Sequence, residues 1–165
     1  MWQRTEPGHW EGDLIMGAGN ATAIVTLVER TTRFTVLGHL PAGRHDAAAV
    51  RDSVIAALKA LPAHARLTLT WDQGKEMARH REIAAALQTT RIYFCDPRSP
   101  WQRPSNENTN GVRVTTLPRQ RLGVHTAADL AAVQTQLNER PRKVLTWDSP
   151  TARTATLLRT PVLRR

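Results

Sequence analysis

Carboxylates are the residues of this chain with the clearest capacity for chemistry. Of its 14 Asp and Glu residues, three stand where a fold can bring them together. Asp13 lies inside an early alternating segment, Asp72 closes a later one, and Glu107 follows a third, near the start of the next expected helix. Three carboxylates converging beyond strand ends would bind Mg²⁺ or Mn²⁺, hard cations that take oxygen ligands. A pair of such ions about 4 Å apart supports phosphoryl transfer, one activating a water or 3′-hydroxyl and the other stabilising the leaving oxygen. Spacing alone does not single out this triple, because an isolated Asp or Glu most often serves only to solvate a surface.

The elements that must position these groups can be read from periodicity. Trp10 to Met16 alternates Trp10, Gly12, Leu14 and Met16 against Glu11, Asp13 and Ile15, which predicts a strand. Residues 22–28 and 33–40 are β-rich, and the polar Glu29-Arg30-Thr31-Thr32 between them predicts a hairpin. Asp46 is placed to cap a helix running to about Leu61, with Val50, Val54, Leu58 and Leu61 at helical spacing and Pro62 ending it. Leu67, Leu69 and Trp71 alternate with Thr68, Thr70 and Asp72, a fourth strand with Asp72 at its end. A helix from about Glu76 to Leu87 and a fifth strand, Arg91 to Phe94, come next. Thr126 and Asp129 form a capping-box start for a helix carrying Leu130, Val133 and Leu137. The order β-β-β-α-β-α-β-α describes a mixed α/β domain with parallel strands added to an antiparallel hairpin sheet. The RNase H-like fold fits this order, as do several other α/β folds.

Composition sets the outer limits. The chain has 165 residues, with 41% hydrophobic and 22% charged, which suits one globular domain covering residues 1–165. Lys and Arg total 23, so the net charge is +9, favouring a polyanionic partner, nucleic acid ahead of an anionic membrane. No apolar run is long enough to span a bilayer and no signal peptide opens the chain, so a cytoplasmic protein without membrane association is expected. The single cysteine, Cys95, excludes a disulfide framework and is expected to be a buried thiol. His9, His39, His45 and His64 have no ligand spacing, so no zinc site is expected.

Three strings carry a resemblance. Gly8-His9-Trp10-Glu11-Gly12-Asp13-Leu14, Thr70-Trp71-Asp72-Gln73-Gly74-Lys75-Glu76 and the segment 100–111 around Asn106-Glu107-Asn108 resemble the integrase-core transposases of the insertion sequence 30 family. Residues 27–33 and 138–143 are similar to it as well, and the likeness runs from about 8 to 150, leaving 151–165 as a C-terminal tail. The resemblance implies an RNase H-like catalytic core with a mixed five-stranded sheet flanked by helices. It also implies an Asp-Asp-Glu triad at Asp13, Asp72 and Glu107 holding Mg²⁺ or Mn²⁺, two ions in all. The implied activity is metal-dependent DNA cleavage and strand transfer at insertion-sequence ends, with transposon ends and target DNA as partners and a homo-oligomer on DNA.

Other residues take subsidiary roles. Lys75 and Arg103 stand close enough to the triad positions to touch phosphates, and Asn106, Asn108 and Asn110 offer amides to phosphates or base edges, or else satisfy their own turn. Glu11 shares a strand face with Asp13 and is placed to assist it; Asp96 is expected to cap the turn before Pro97, and Glu76 to support a helix start. Trp101 reads as a packing anchor or a platform for a flipped base, while Arg44 and His45 match the family without an assignable role.

Two departures from the family give an alternative. The helix-turn-helix region that normally precedes the core does not precede Met1. Residues 112–123, which include Val112, Val114, Thr115, Thr116 and Pro118, are poor helix formers where the family continues a helix after its Glu. The alternative is a truncated or decayed transposase, catalytically inactive, that binds DNA or interferes with transposition. A third reading is a different RNase H-like nuclease with the same metal chemistry.

Overall fold

The computed structural model describes residues 6–17, 19, 21–41, 44–72, 74–95 and 126–159. Strand β1 (His9–Met16) pairs antiparallel with β2 (Ala23–Glu29), and β2 pairs antiparallel with β3 (Thr35–His39). Helix α1 (Ala47–Lys59) leads to β4 (Thr68–Trp71), helix α2 (His80–Leu87) to β5 (Arg91–Phe94); both strands join parallel, giving the sheet order β3-β2-β1-β4-β5. Helices α3 (Ala127–Glu139) and α4 (Pro150–Arg159) follow. The expected α/β sheet of five strands, hairpin first and parallel strands after, is what forms.

Alternation divides the core into two layers. Trp10, Val25, Leu27, Leu69 and Trp71 project to one face, against Val50, Val54 and Leu58 of α1 and Ile83 and Leu87 of α2. Ile24 and Leu37, with Ile15 beside them, project to the other face against Leu130 and Leu137 of α3. Every residue of β2 is buried as a result.

Local signals hold well. Asp46 caps α1 by accepting from Ala49 N at 2.9 Å, and that hydrogen bond holds its carboxyl below the ordinary value. Thr126 and Asp129 close the expected capping box on α3. Two expectations shift. The single helix from Glu76 to Leu87 is instead a 3-10 turn at Lys75–Met77 followed by α2 from His80. Met77 and Ile83 are both buried, yet on one α-helix they would point about 120° apart, so the chain breaks between them. The expected tail at 151–165 begins as α4, its start marked by Ser149, whose hydroxyl accepts from Ala152 N (3.2 Å), and by Pro150 in the first turn.

The outer edge of β3 is sealed by side chains of α3. Asn138 Oδ1 accepts from Thr35 N (2.8 Å) and its Nδ2 donates to Thr35 O (2.7 Å), while Leu37 N donates to Gln134 Oε1 (2.9 Å). An amide reproduces here what a neighbouring strand would supply, satisfying an edge that would otherwise invite another chain. Asn138→Ala strips two hydrogen bonds from a buried backbone pair. We expect it to lower unfolding free energy by about 2–4 kcal/mol in urea titration; an unchanged midpoint would mean the fork contributes nothing.

Candidate active site

The carboxylates are set by the meeting of β1 and β4. Gly12 lies on the β1 face that Trp71 covers, and a Cβ there would overlap the indole ring. With no side chain at Gly12, the fully buried Trp71 packs directly on the β1 backbone. The side chains between these positions point the other way, so Glu11 and Asp13 share the opposite face with Thr70 and Asp72.

Register then places the pair. Glu11 lies beside Thr70 in the parallel ladder, and Asp13 and Asp72 come two residues after them on their respective segments. The ladder ends at Glu11 and Thr70, so Asp13 and Asp72 each follow it at the same end of the sheet. Asp13 is half-buried and Asp72 exposed. Asp13 Oδ1 accepts from Leu14 N (2.9 Å), and the Asp13 carbonyl accepts from Thr26 Oγ1 (3.2 Å), which ties it to β2. Past Asp72 the chain turns sharply, Gly74 N donating to Asp72 O at 2.9 Å. Trp71 Nε1 donates to Glu76 Oε1 (3.3 Å) and Met77 is buried beneath, so both sides of the Asp72 turn are pinned. Glu76 stands at the start of the 3-10 turn, as expected of a residue supporting a helix start, and Lys75 is exposed beside it.

Glu11, which shares the strand face of Asp13, also has an ion-pair partner of its own. It is fully buried, and Arg30 Nε lies 3.1 Å from its Oε1. The pair sets a cation against its charge inside the fold. Sequence reading also missed Glu29, taken as a polar hairpin residue. The Glu29 carboxylate is buried and accepts from Gly8 N, His9 N, Thr31 N, Thr32 N and Thr32 Oγ1, clamping the start of β1 to the hairpin. The signal was there in the two threonines after it, whose hydroxyls and amides favour closing onto a preceding acid. Cys95 is buried, as expected.

Glu107 lies outside the described residues, as do Arg103, Asn106, Asn108, Asn110, Trp101, Asp96 and the segment 112–123. Among the described residues no cluster of three metal-ligating side chains forms. Asp13 and Asp72 have only oxygen to offer, a chemistry that suits a hard divalent cation and not a thiophilic one. No described helix is long and apolar enough to cross a membrane. The packing supplies a test. Gly12→Ala forces the Trp71 ring away from β1 and should cost about 2–4 kcal/mol in denaturant unfolding. Trp71→Leu in the same chain should recover part of that loss; two simply additive losses would sink the contact as described.

Comparison with known proteins gives consistent matches. The model of the integrase core domain matches residues 3–100. The transposase for insertion sequence element IS1086 of Cupriavidus metallidurans is 48% identical over 98% of this chain and 47% of its own length. Transposase InsI for insertion sequence element IS30A of Escherichia coli K12 is 43% identical over 89% of this chain and 38% of its own. The transposase for insertion sequence element IS4351 of Bacteroides fragilis is 35% identical over 87% of this chain and 43% of its own. The chain thus spans less than half the length of these curated relatives. Among solved structures, a simian T-cell lymphotropic virus intasome in complex with PP2A regulatory subunit B56 gamma aligns with a TM-score of 0.71 at 17% identity, over 97% of this chain and 57% of that one. The catalytic core domain of BIV integrase aligns with a TM-score of 0.66 at 17% identity, over 90% and 94%. Both likenesses give the fold, an RNase H-like mixed sheet.

Proposed function

We propose that this chain, which belongs to the integrase core domain family, is the catalytic core of an insertion-sequence transposase that cleaves DNA at element ends and joins it to target DNA. The observation that supports the reading is the β1–β4 register, in which Glu11 lies beside Thr70 and Asp13 and Asp72 each follow two residues later. Asp13, Asp72 and Glu107 would hold Mg²⁺ or Mn²⁺, two ions in the full site. Bound there, the ions supply charge neutralisation for the attacking and leaving oxygens of a phosphodiester.

The residues of the chain itself do the positioning. Leu14 N–H fixes the rotation of the Asp13 carboxylate, and Thr26 holds the Asp13 backbone against β2. The Trp71–Glu76 contact and buried Met77 restrain the turn that presents Asp72. Exposed Lys75, three residues on, is suited to a phosphate of the incoming strand, where a cation fixes register without reading sequence. Arg103, Asn106, Asn108 and Asn110 are proposed as further DNA contacts because they flank Glu107. A net charge of +9 draws the polyanion in and makes binding sensitive to salt. The reaction joins distant DNA ends, so a homo-oligomer assembled on DNA, acting in the cytoplasm, completes the proposal.

A second reading, an inactive remnant that still binds DNA, is favoured by the β-branched and proline-containing segment 112–123 after Glu107. One assay separates the two: cleavage and strand transfer of a labelled oligonucleotide carrying an element end, with Mg²⁺ or Mn²⁺. The active reading predicts product from the parent chain and a loss of at least about a hundredfold in Asp72→Asn, which keeps shape and removes ligand charge. Activity that survives Asp72→Asn would overturn the site. A folded parent chain that binds the oligonucleotide and yields no product would favour the remnant.

A further inference from the structure

Residues 140–149, which join α3 to α4, lie apart from the carboxylates. Asn138, just ahead of them, is forked onto Thr35 of the edge strand β3, two strands away from β1. The segment is a closed bump. Arg142 N donates to Asp148 O (3.0 Å), Trp147 N donates to Arg142 O (3.0 Å), and Leu145 is buried beneath as an anchor. Thr146 (φ +58°) and Trp147 (φ +67°) are consecutive non-glycine residues in the left-handed region, which is unfavourable for L-residues and most so for a β-branched one.

That strained turn presents an indole to water. Trp147 is 69% exposed and Val144 64%, more than any other large apolar side chain among the described residues. Their setting is cationic. Arg140 and Lys143 are exposed, Arg142 is half-buried with Nη2 donating to Leu137 O (3.2 Å), and Asp148 is met by Arg153 at 3.7 Å. Glu139, at the end of α3, is the other acid nearby. A protein partner would need about 800 Å² of contact with lysine depleted from its centre, far more than two apolar side chains among cations provide. A rigid aromatic face flanked by cations instead fits a nucleotide, the base stacking on the ring and the phosphates meeting the charges.

We propose that the 140–149 loop is a second DNA surface, which captures unpaired nucleotides by stacking a base on Trp147 while Arg140 and Lys143 pair with the flanking phosphates. It rests on the reading of this chain as a DNA-processing core but not on the carboxylate chemistry. Stacking tolerates any base, so capture is independent of sequence, and the surface is suited to frayed ends or displaced strands.

The test is fluorescence anisotropy of a labelled oligothymidylate titrated with the full chain in EDTA across a salt series. Trp147→Ala should bind roughly ten- to a hundredfold more weakly, with an unchanged salt slope, and Trp147→Phe should recover most of the affinity. Lys143→Gln should reduce the log–log salt slope by about 0.7. Trp147→Gly guards against misfolding: glycine accepts φ +67° without strain, so thermal stability should hold or rise while binding is lost. Parent-like affinity in both Trp147→Ala and Trp147→Gly would overturn the proposal. So would a Trp147 effect confined to self-association in sedimentation, since that would make the loop a protein interface. A parent chain that binds through Trp147 yet never cleaves DNA supports this surface and counts against the catalytic reading alone.

Discussion

The packing of Trp71 on Gly12 is the contact from which the rest of the site follows. An indole on the backbone of β1 requires a residue without Cβ, and it fixes β4 beside β1 at one register. A slip of one residue would turn every side chain of β4 to the other face, burying Asp72 among the α1 and α2 packing and pointing Trp71 toward α3. The core layer thus selects the register, and the register puts Asp13 and Asp72 on the face away from that layer, at the same end of the sheet. A hydrophobic contact on one side of the sheet positions the charges on the other.

Electrostatics within the sheet is handled residue by residue, with Glu11 on the Asp13 face and Glu29 on the Trp10 face. Glu11 and Glu29 are buried acids of β1 and β2, and each is engaged within the fold, Glu11 by Arg30 and Glu29 by backbone amides and Thr32. A buried carboxylate without such partners would be severely destabilising. Asp13 is half-buried and Asp72 is exposed just past the end of β4, and the proposed function would have them share a cation.

Much of this was legible because it is local. Alternation gave the strands, Asp46 and Thr126 announced their helices, and the strings around Asp13 and Asp72 carried the likeness that the family match bears out. What was hidden depends on distant partners. Nothing in the segment around Asn138 states that its amide will replace a missing strand beside Thr35, and nothing in Trp10 to Met16 says that Glu11 will meet Arg30. The break before α2 arises because Met77 is drawn into the core beneath the α1 layer, a tertiary demand that outweighs the helical pattern from Glu76. The start of α4 was readable in Ser149-Pro150 and was overlooked, because a cap before proline looks like a loop until the helix after it is seen.

The central claim is that Asp13 and Asp72 form one cation site together with Glu107, and direct binding tests it most closely. Mn²⁺ titrated into the full chain and followed by electron paramagnetic resonance counts bound ions without any DNA or turnover. The account predicts that Asp13→Asn, Asp72→Asn and Glu107→Gln each weaken Mn²⁺ binding by at least about tenfold, as loss of a charged oxygen ligand from a shared site requires. Glu11→Gln, whose charge is already met by Arg30, should leave it within a few-fold. Mn²⁺ binding that is unaffected by Asp13→Asn and Asp72→Asn would contradict the account.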